Sequence, residues 1–180
     1  MSQEYKSPIE LLFDIEQHSL SVARGLPQRE DIQVAWTGIG FRVGDINLTA
    51  PLNQVHEVLR YPKMTRIPGT RNWIKGVANV RGTLLTVTDL NQFLGKPPSQ
   101  VTQRTRLLVY RRDELAVGLL VDEVMGLKHF YDENKVSAVA KFDEALRDYV
   151  RGAFKQNDIE TLVFSMHALA EDPQFFKVAV

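Results

Sequence analysis

Alternation of apolar and polar positions dominates the chain after residue 34 and predicts a mainly β protein. The apolar run Trp36–Val43 precedes a Gly44-Asp45 turn and the alternating residues 46–49, a pattern typical of a β-hairpin. The same pattern predicts strands at residues 76–80, 83–88, 107–110, 115–121, 124–131, 149–154 and 159–164, and short helices at residues 89–94 and 166–170.

The connections between these elements are less regular. Residues 51–59 fit either a helical turn or a bent strand. Pro62 and Pro68 disfavour helix across residues 61–69, which predicts an extended crossing. Residues 135–147 have a mixed pattern that predicts a loop with one helical turn.

An N-terminal helical arm with a polar connector is predicted for residues 1–34, and a separate β domain for residues 35–180. Ser7-Pro8 has the chemistry of a helix start, and Ile9, Leu12 and Phe13 form a partly amphipathic stripe. Apolar stripes usually face a core, which favours packing of the arm on its own domain; the alternative is that the arm is a docking helix for a partner.

An internal repeat relates the two halves of the β region. A shift of 69 residues aligns Phe41 with Tyr110 and Leu48 with Val117, and a shift of 76 residues aligns Gly76 with Gly152. Each half contains a hairpin, a connector, two strands and a short helix. Two such units predict two small β-barrels packed together, and chance similarity between β-rich halves is the alternative.

Composition and charge narrow the functional classes. The chain has 22 basic and 22 acidic residues, and a neutral balance argues against nucleic acid and anionic membrane as partners. It has no cysteine, which removes disulfides and thiolate chemistry and suits a cytoplasmic location. No apolar run is long enough for direct membrane insertion, and the first residues do not resemble a signal peptide.

The chemistry of enzymes is not evident in the sequence. Gly38-Ile-Gly40 and Gly44 lack dinucleotide-binding spacing and lie in a predicted hairpin. His56-Glu57 lacks a second histidine four residues later, and the acidic pair Asp122-Glu123 has no evident partner. We therefore expect no catalytic residues, no metal and no cofactor.

The turn around Arg81-Gly82 points to a family. Residues 75–82, Lys-Gly-Val-Ala-Asn-Val-Arg-Gly, and residues 84–90 resemble the signature of CheW-type chemotaxis adaptors, as do residues 55–59 and 117–124. Within that family, the N-terminal helix and residues 36–41 are similar to the adaptors of chemosensory systems that control type IV pili and twitching motility. Thr86 stands where the family usually has proline, which returns an N–H to a strand that we expect at a sheet edge.

The resemblance implies two five-stranded SH3-like β-barrels and a non-catalytic adaptor. Its partners would be the cytoplasmic helical hairpin of a chemoreceptor, in a groove between the barrels, and the regulatory domain of a CheA-type histidine kinase. Recruitment to receptor arrays at the inner membrane would follow.

The residues carried over for receptor contact are Val55, Glu57, Gly76 and Arg81. Val55 is either an apolar contact or a core residue, and Arg81 either binds the receptor or braces the barrels. The resemblance does not place the kinase-binding residues. A general flagellar chemotaxis adaptor is the alternative function, and a nucleic-acid-binding SH3- or OB-like module is a more distant one.

Overall fold

The computed structural model describes residues 9, 12, 15, 18, 36–112, 115–136, 144–177 and 179. Strands and short helices appear in the predicted order, so the mainly β prediction is confirmed. The strands are β1 Trp36–Val43, β2 Ile46–Pro51, β3 Glu57–Arg60, β4 Ile74–Val80, β5 Thr83–Asp89, β6 Arg106–Arg112, β7 Leu115–Val121, β8 Glu123–Phe130, β9 Lys135–Val136, β10 Val150–Gln156 and β11 Ile159–Phe164. The helices are α1 Leu90–Phe93 and α2 Met166–Glu171, with 3-10 turns at Leu52–Gln54, Asp132–Asn134 and Glu144–Leu146.

The chain forms two compact units, Met1–Gln33 and Val34–Val180. In the first unit, Ile9, Leu12, Ile15 and His18 are helical and exposed. The remainder of the predicted arm, including Phe13, lies outside the described residues. The two interpretations of its apolar stripe both stay predictions.

The connections between the predicted elements combine turns with short strands. Residues 51–59 form a 3-10 turn, Leu52–Gln54, and then strand β3. The segment with Pro62 and Pro68 contains no helix, as predicted. Of residues 135–147, the ends form β9 and the turn Glu144–Leu146, while residues 137–143 lie outside the described residues.

The predicted internal repeat is confirmed by the pairing of the strands. Phe41 pairs with Leu48 between β1 and β2, and Tyr110 pairs with Val117 at the positions shifted by 69 residues. Between β4 and β5, Gly76 pairs with Val87 beside a bulge, and the same bulge recurs where Gly152 pairs with Val163. The two halves therefore repeat their hydrogen-bond register as well as their apolar pattern.

The two sheets do not correspond to the two halves of the sequence. Sheet A has the order β8-β1-β2-β11-β10-β9, and sheet B has the order β3-β6-β7-β5-β4. Each sheet combines a first-half hairpin with a second-half hairpin, joined by a parallel pair, β2 with β11 or β7 with β5. The connector strands are exchanged, because β3 pairs with β6 and β8 pairs with β1.

The segment from Leu59 to Thr65 connects the two edge strands of sheet B, β3 and β4. These two strands do not pair with each other, so the sheet is not closed by hydrogen bonds. Leu59 pairs with Leu107 at one edge, and Thr65 forms a bridge with Val77 beyond the other. The six residue-to-residue steps from Leu59 to Thr65 reach at most about 21 Å, whereas in a flat sheet these two residues would be five strand spacings, or about 24 Å, apart. The sheet must therefore curl as an SH3-like barrel does, and β8 and β9 span sheet A in the same way.

The largest core lies where the two sheets face each other, and it includes Phe41, Leu108 and Phe164. A second cluster, with Leu85 and Leu107, fills the inside of sheet B. Hairpin β6–β7 is buried on both faces, because consecutive residues enter different clusters.

In sheet A, stacked aromatic rings take the place that the second cluster has in sheet B. The rings of Trp36, Phe130 and Phe154 lie with centroids 4.6 to 5.8 Å apart. A Cβ atom at Gly38 would lie 2.7 Å from the Trp36 ring and 2.5 Å from the Ala50 carbonyl oxygen. Packing within the predicted hairpin therefore explains the glycine at position 38.

The end of the chain packs against the main core. Phe175 is buried and meets the Phe93 ring edge-on, with centroids 5.3 Å apart. The Tyr149 hydroxyl donates a hydrogen bond to Asp172, and burial together with that carboxylate raises the pKa of Tyr149. These contacts place the end of the chain beside Thr70, which forms an isolated bridge with Ala179.

The prediction that Thr86 lies at a sheet edge is wrong. Strand β5 is interior, and Thr86 pairs with Val77 of β4 on one side and with Val117 of β7 on the other. Which strands become neighbours depends on the exchange between the halves, and a local pattern does not contain that information.

Candidate partner-binding site

A two-residue turn at Arg81-Gly82 joins β4 to β5, as the sequence predicts. Both residues have positive φ, 51° and 84°, as a type I′ hairpin turn requires. The side-chain oxygen of Asn79 accepts a hydrogen bond from the Gly82 N–H at 3.0 Å. A positive φ costs a residue with a side chain about 1 kcal/mol, so Arg81 has an unfavourable backbone conformation.

The Arg81 guanidinium lies over the carboxylate of Glu57. Its Nη1 is 3.2 Å from Oε2 of Glu57, and Nη2 of Arg111 donates to Oε1 of the same carboxylate at 3.2 Å. The Arg81 side chain is 76% exposed, against 22% for Glu57. Because water screens an exposed pair, it contributes at most about 1 kcal/mol, and Arg81 can exchange Glu57 for a partner's group at small cost.

Part of the hydrogen-bonding capacity around this carboxylate is unused. Oε2 of Glu57 and Nε of Arg111 are buried, and neither has a hydrogen-bond partner among the described residues. The contact from Arg81 to Oε2 is thus an ion pair without hydrogen-bond geometry. Buried polar atoms usually have partners, so each of these two atoms can still form a hydrogen bond.

The other two carried-over residues have internal contacts. Val55 is half-buried and packs against the main core, in agreement with the core interpretation. Gly76 is buried with φ 142°, and a Cβ atom there would lie 2.2 Å from the carbonyl oxygen of Thr65. The close backbone approach that Gly76 permits is therefore one within the chain, where residues 65 and 66 cross β4.

Of the four residues, the structure brings Glu57 and Arg81 into direct contact. Val55 lies two positions before Glu57 on the same connecting segment, and Gly76 belongs to the opposite edge of sheet B. Glu57 is partly exposed, and its carboxylate is shared between the guanidinium groups of Arg81 and Arg111.

Sequence reasoning missed two residues of this surface. Arg111 is 54 positions from Glu57, and only the pairing of β3 with β6 brings it close. Leu84 is 68% exposed next to the turn. A signal for Leu84 was present, because adjacent leucines at positions 84 and 85 interrupt the alternation, so one of them must face outward.

Three surface clefts have volumes of about 730, 570 and 390 Å³, and none of them is lined by any of the four carried-over residues. The Glu57–Arg81 pair is thus a surface feature rather than the lining of one of these clefts. In the described part of the chain, no group of three potential metal ligands occurs. No helix in that part is both long and apolar enough to cross a membrane.

Comparison with known proteins places the chain in a family. Residues 37–174 match the CheW-like domain. The chain belongs to the CheW-like family. It is 41% identical to protein PilI of Pseudomonas aeruginosa over 177 residues, which is 98% of this chain and 99% of PilI. The predicted resemblance is therefore confirmed.

Further matches cover parts of the chain. It is 42% identical to protein FrzA of Myxococcus xanthus over 49% of this chain and 55% of FrzA. It is 34% identical to chemotaxis protein CheW of Bacillus subtilis over 47% of this chain and 54% of that protein. Together with PilI, these relatives identify the chain as a CheW-type coupling adaptor of a chemosensory system.

A solved structure supports the fold. The scaffolding protein TtCheW from Thermoanaerobacter tengcongensis superposes with a TM-score of 0.65 at 24% identity, over 77% of this chain and 94% of TtCheW. This likeness concerns the fold alone, and it agrees with two curled sheets of the SH3-like type.

Proposed function

We propose that this protein couples a methyl-accepting chemoreceptor to a CheA-type histidine kinase in a system that controls type IV pili and twitching motility. The observation that carries the proposal is the end-to-end similarity to PilI, at 41% identity. Matches to chemotaxis CheW proteins at 34% identity or less cover about half to two thirds of this chain.

The receptor's helical hairpin would bind beside the turn of β4 and β5. Arg81 would leave Glu57 and form charge-assisted hydrogen bonds with the receptor, and Glu57 would remain paired with Arg111. Exposed Leu84 adds apolar area next to the turn. Val55 and Gly76 would support this surface without contacting the receptor. Val55 would do so by packing on the main core, and Gly76 by letting the backbone at Thr65 cross β4.

The kinase regulatory domain would pair with an edge of one sheet, because exposed strand edges offer unpaired N–H and C=O groups. A contact of this kind buries little area, below about 1,200 Å² in weak signalling pairs. Assembly into arrays at the inner membrane would raise the overall binding affinity through multivalency. The adaptor itself would work in the cytoplasm.

Paired titrations test the assignment against a general flagellar adaptor, which the match to Bacillus subtilis CheW favours. The full chain is titrated with receptor-tip fragments and kinase regulatory domains from the pilus and flagellar systems of one organism. We expect at least tenfold tighter binding to both pilus components. Equal affinity for the two systems, or tighter binding to the flagellar pair, would refute the assignment.

A further inference from the structure

Positive charge is concentrated in one segment, although the chain as a whole has no net charge. Residues 58–88 contain six basic residues and no acidic one, whereas the remaining 149 residues contain 16 basic and 22 acidic residues. A single-sign field of this kind attracts partners of opposite charge. The basic residues are Arg60, Lys63, Arg66, Arg71, Lys75 and Arg81.

Three of these residues line the cleft whose volume is about 730 Å³. Arg66, Arg71 and Lys75 contribute basic side chains, and no aspartate or glutamate lines the cleft. The bridge between Thr65 and Val77, with N–H to O distances of 2.8 and 2.9 Å, fixes the backbone beside Arg66. The backbone that carries Arg66 is therefore fixed by hydrogen bonds.

The charges are neutralised unequally within the molecule. Lys75 forms an ion pair with the buried carboxylate of Asp89 at 3.1 Å. Arg71 donates through Nε to the carbonyl oxygen of Ala179 and lies over the Trp73 ring, 5.6 Å from its centroid. No carboxylate of the described residues forms an ion pair with Arg66 or Arg71. Two guanidinium groups are thus left to bind an external anion.

The cleft also has an apolar part and a rigid rim. Tyr61 and Ile67 are 39% and 37% exposed at its border. Pro68 and Gly69, with φ 72° at Gly69, form the centre of a tight turn that the Thr70 hydroxyl closes by donating to the Ile67 carbonyl at 2.9 Å. A phosphate polymer would use the charges alone, whereas a peptide with acidic and apolar residues would use both parts.

We propose that this cleft binds an acidic peptide segment of a partner protein, with carboxylates on Arg66 and Arg71 and an apolar side chain against Tyr61 and Ile67. Bidentate guanidinium–carboxylate pairs would fix the orientation of the segment. The inference does not depend on the identity of the receptor or kinase, because the cleft lies apart from the Glu57–Arg81 pair.

Fluorescence anisotropy tests the proposal on the full chain. The probe is a labelled twelve-residue peptide of Glu and Asp with two leucines, and the comparison peptide replaces Glu with Gln and Asp with Asn. In 50 mM salt we expect saturable binding of the acidic peptide and at least tenfold weaker binding of the neutral one. Raising the salt to 300 mM should weaken the acidic complex several-fold.

Variants locate the binding. Arg66→Glu together with Arg71→Gln should reduce affinity at least tenfold, and Arg66→Gln alone several-fold. The matched control is Arg60→Glu, because Arg60 is exposed in the same basic segment but does not line the cleft; its effect should stay below threefold. Thermal melting checks that each variant is folded.

Three results would overturn the proposal. Equal losses in the Arg60 and Arg66 variants would show general attraction to a charged surface. Equal binding of the neutral peptide would exclude recognition of carboxylates. Tighter binding of inorganic polyphosphate or of a twelve-nucleotide single-stranded DNA than of the peptide would assign the cleft to phosphate chains.

Discussion

Hairpins β4–β5 and β10–β11 occupy equivalent places in the two sheets, yet they differ at their turns. Arg81 and Asn157 both have φ of 51°, and Gly82 and Asp158 follow them with φ of 84° and 61°. Asn and Asp tolerate the left-handed region, whereas Arg does not favour it. The β10–β11 turn therefore has residues that suit its backbone, whereas position 81 has an arginine, which does not.

The same hairpins also differ at their bulges. Both Gly76 and Gly152 lie next to a register shift, but only Gly76 faces backbone at 2.2 Å from its Cβ position. No heavy atom lies within 4 Å of the Cβ position at Gly152. A side chain is therefore excluded at position 76 but fits at the equivalent position 152, so the bulge in the hairpin with Arg81 tolerates less change.

The largest expected effect comes from adding one methyl group at each bulge. Gly76→Ala should destabilise the protein by at least about 3 kcal/mol, because the new Cβ meets backbone and φ is positive. Gly152→Ala, the matched control, should change stability by less than about 1 kcal/mol. Urea unfolding measures both values, and similar values for the two variants would contradict the difference between the bulges.

An effect of similar or smaller size is expected at the two helix starts. Asp89 caps α1, pairs with Lys75 and accepts hydrogen bonds from the N–H and hydroxyl of Ser99. Asp89→Ala should cost about 3 kcal/mol, since a buried ion pair and a cap are lost together. Ser165→Ala should cost about 1 kcal/mol, because Ser165 supplies a cap alone. Chemical denaturation yielding equal costs would show that the network around Asp89 adds nothing.

Exchanging the turn residues should give small effects of opposite sign. Asn157→Arg should destabilise by about 1 kcal/mol, because it places arginine at positive φ. Arg81→Asn should be neutral or stabilising by about 0.5 kcal/mol, since relief of strain offsets an exposed ion pair. If thermal melting shows no loss for Asn157→Arg, arginine is not disfavoured at such a turn.

Removal of residues 1–30 should have the smallest effect on the β domain. Residues Met1–Gln33 and Val34–Val180 form separate compact units, so the second should melt cooperatively by itself. Calorimetry of the shortened chain would give a Tm within a few degrees of the full chain. Loss of a cooperative transition would instead make the arm part of the fold.

The sequence allowed prediction of what depends on local pattern. Strand bounds, the Arg81-Gly82 turn and the repeat follow from alternation and turn chemistry, and the repeat extends to the register of pairs such as Phe41 with Leu48. The exchange of β3 and β8 between the sheets is non-local. It explains the missed contact from Arg111. The parallel pairing of β5 with β7, which is equally non-local, explains the wrong placement of Thr86 at an edge. The bridge of Thr65 with Val77 explains the internal contact of Gly76.

Titration of a receptor-tip fragment with Arg81→Asp tests the central claim most directly. The matched control is Asn157→Asp, which adds negative charge at the equivalent turn. We predict at least tenfold weaker binding for Arg81→Asp, with melting unchanged, and no change for Asn157→Asp. Unchanged affinity for Arg81→Asp would contradict a receptor-binding role for this turn.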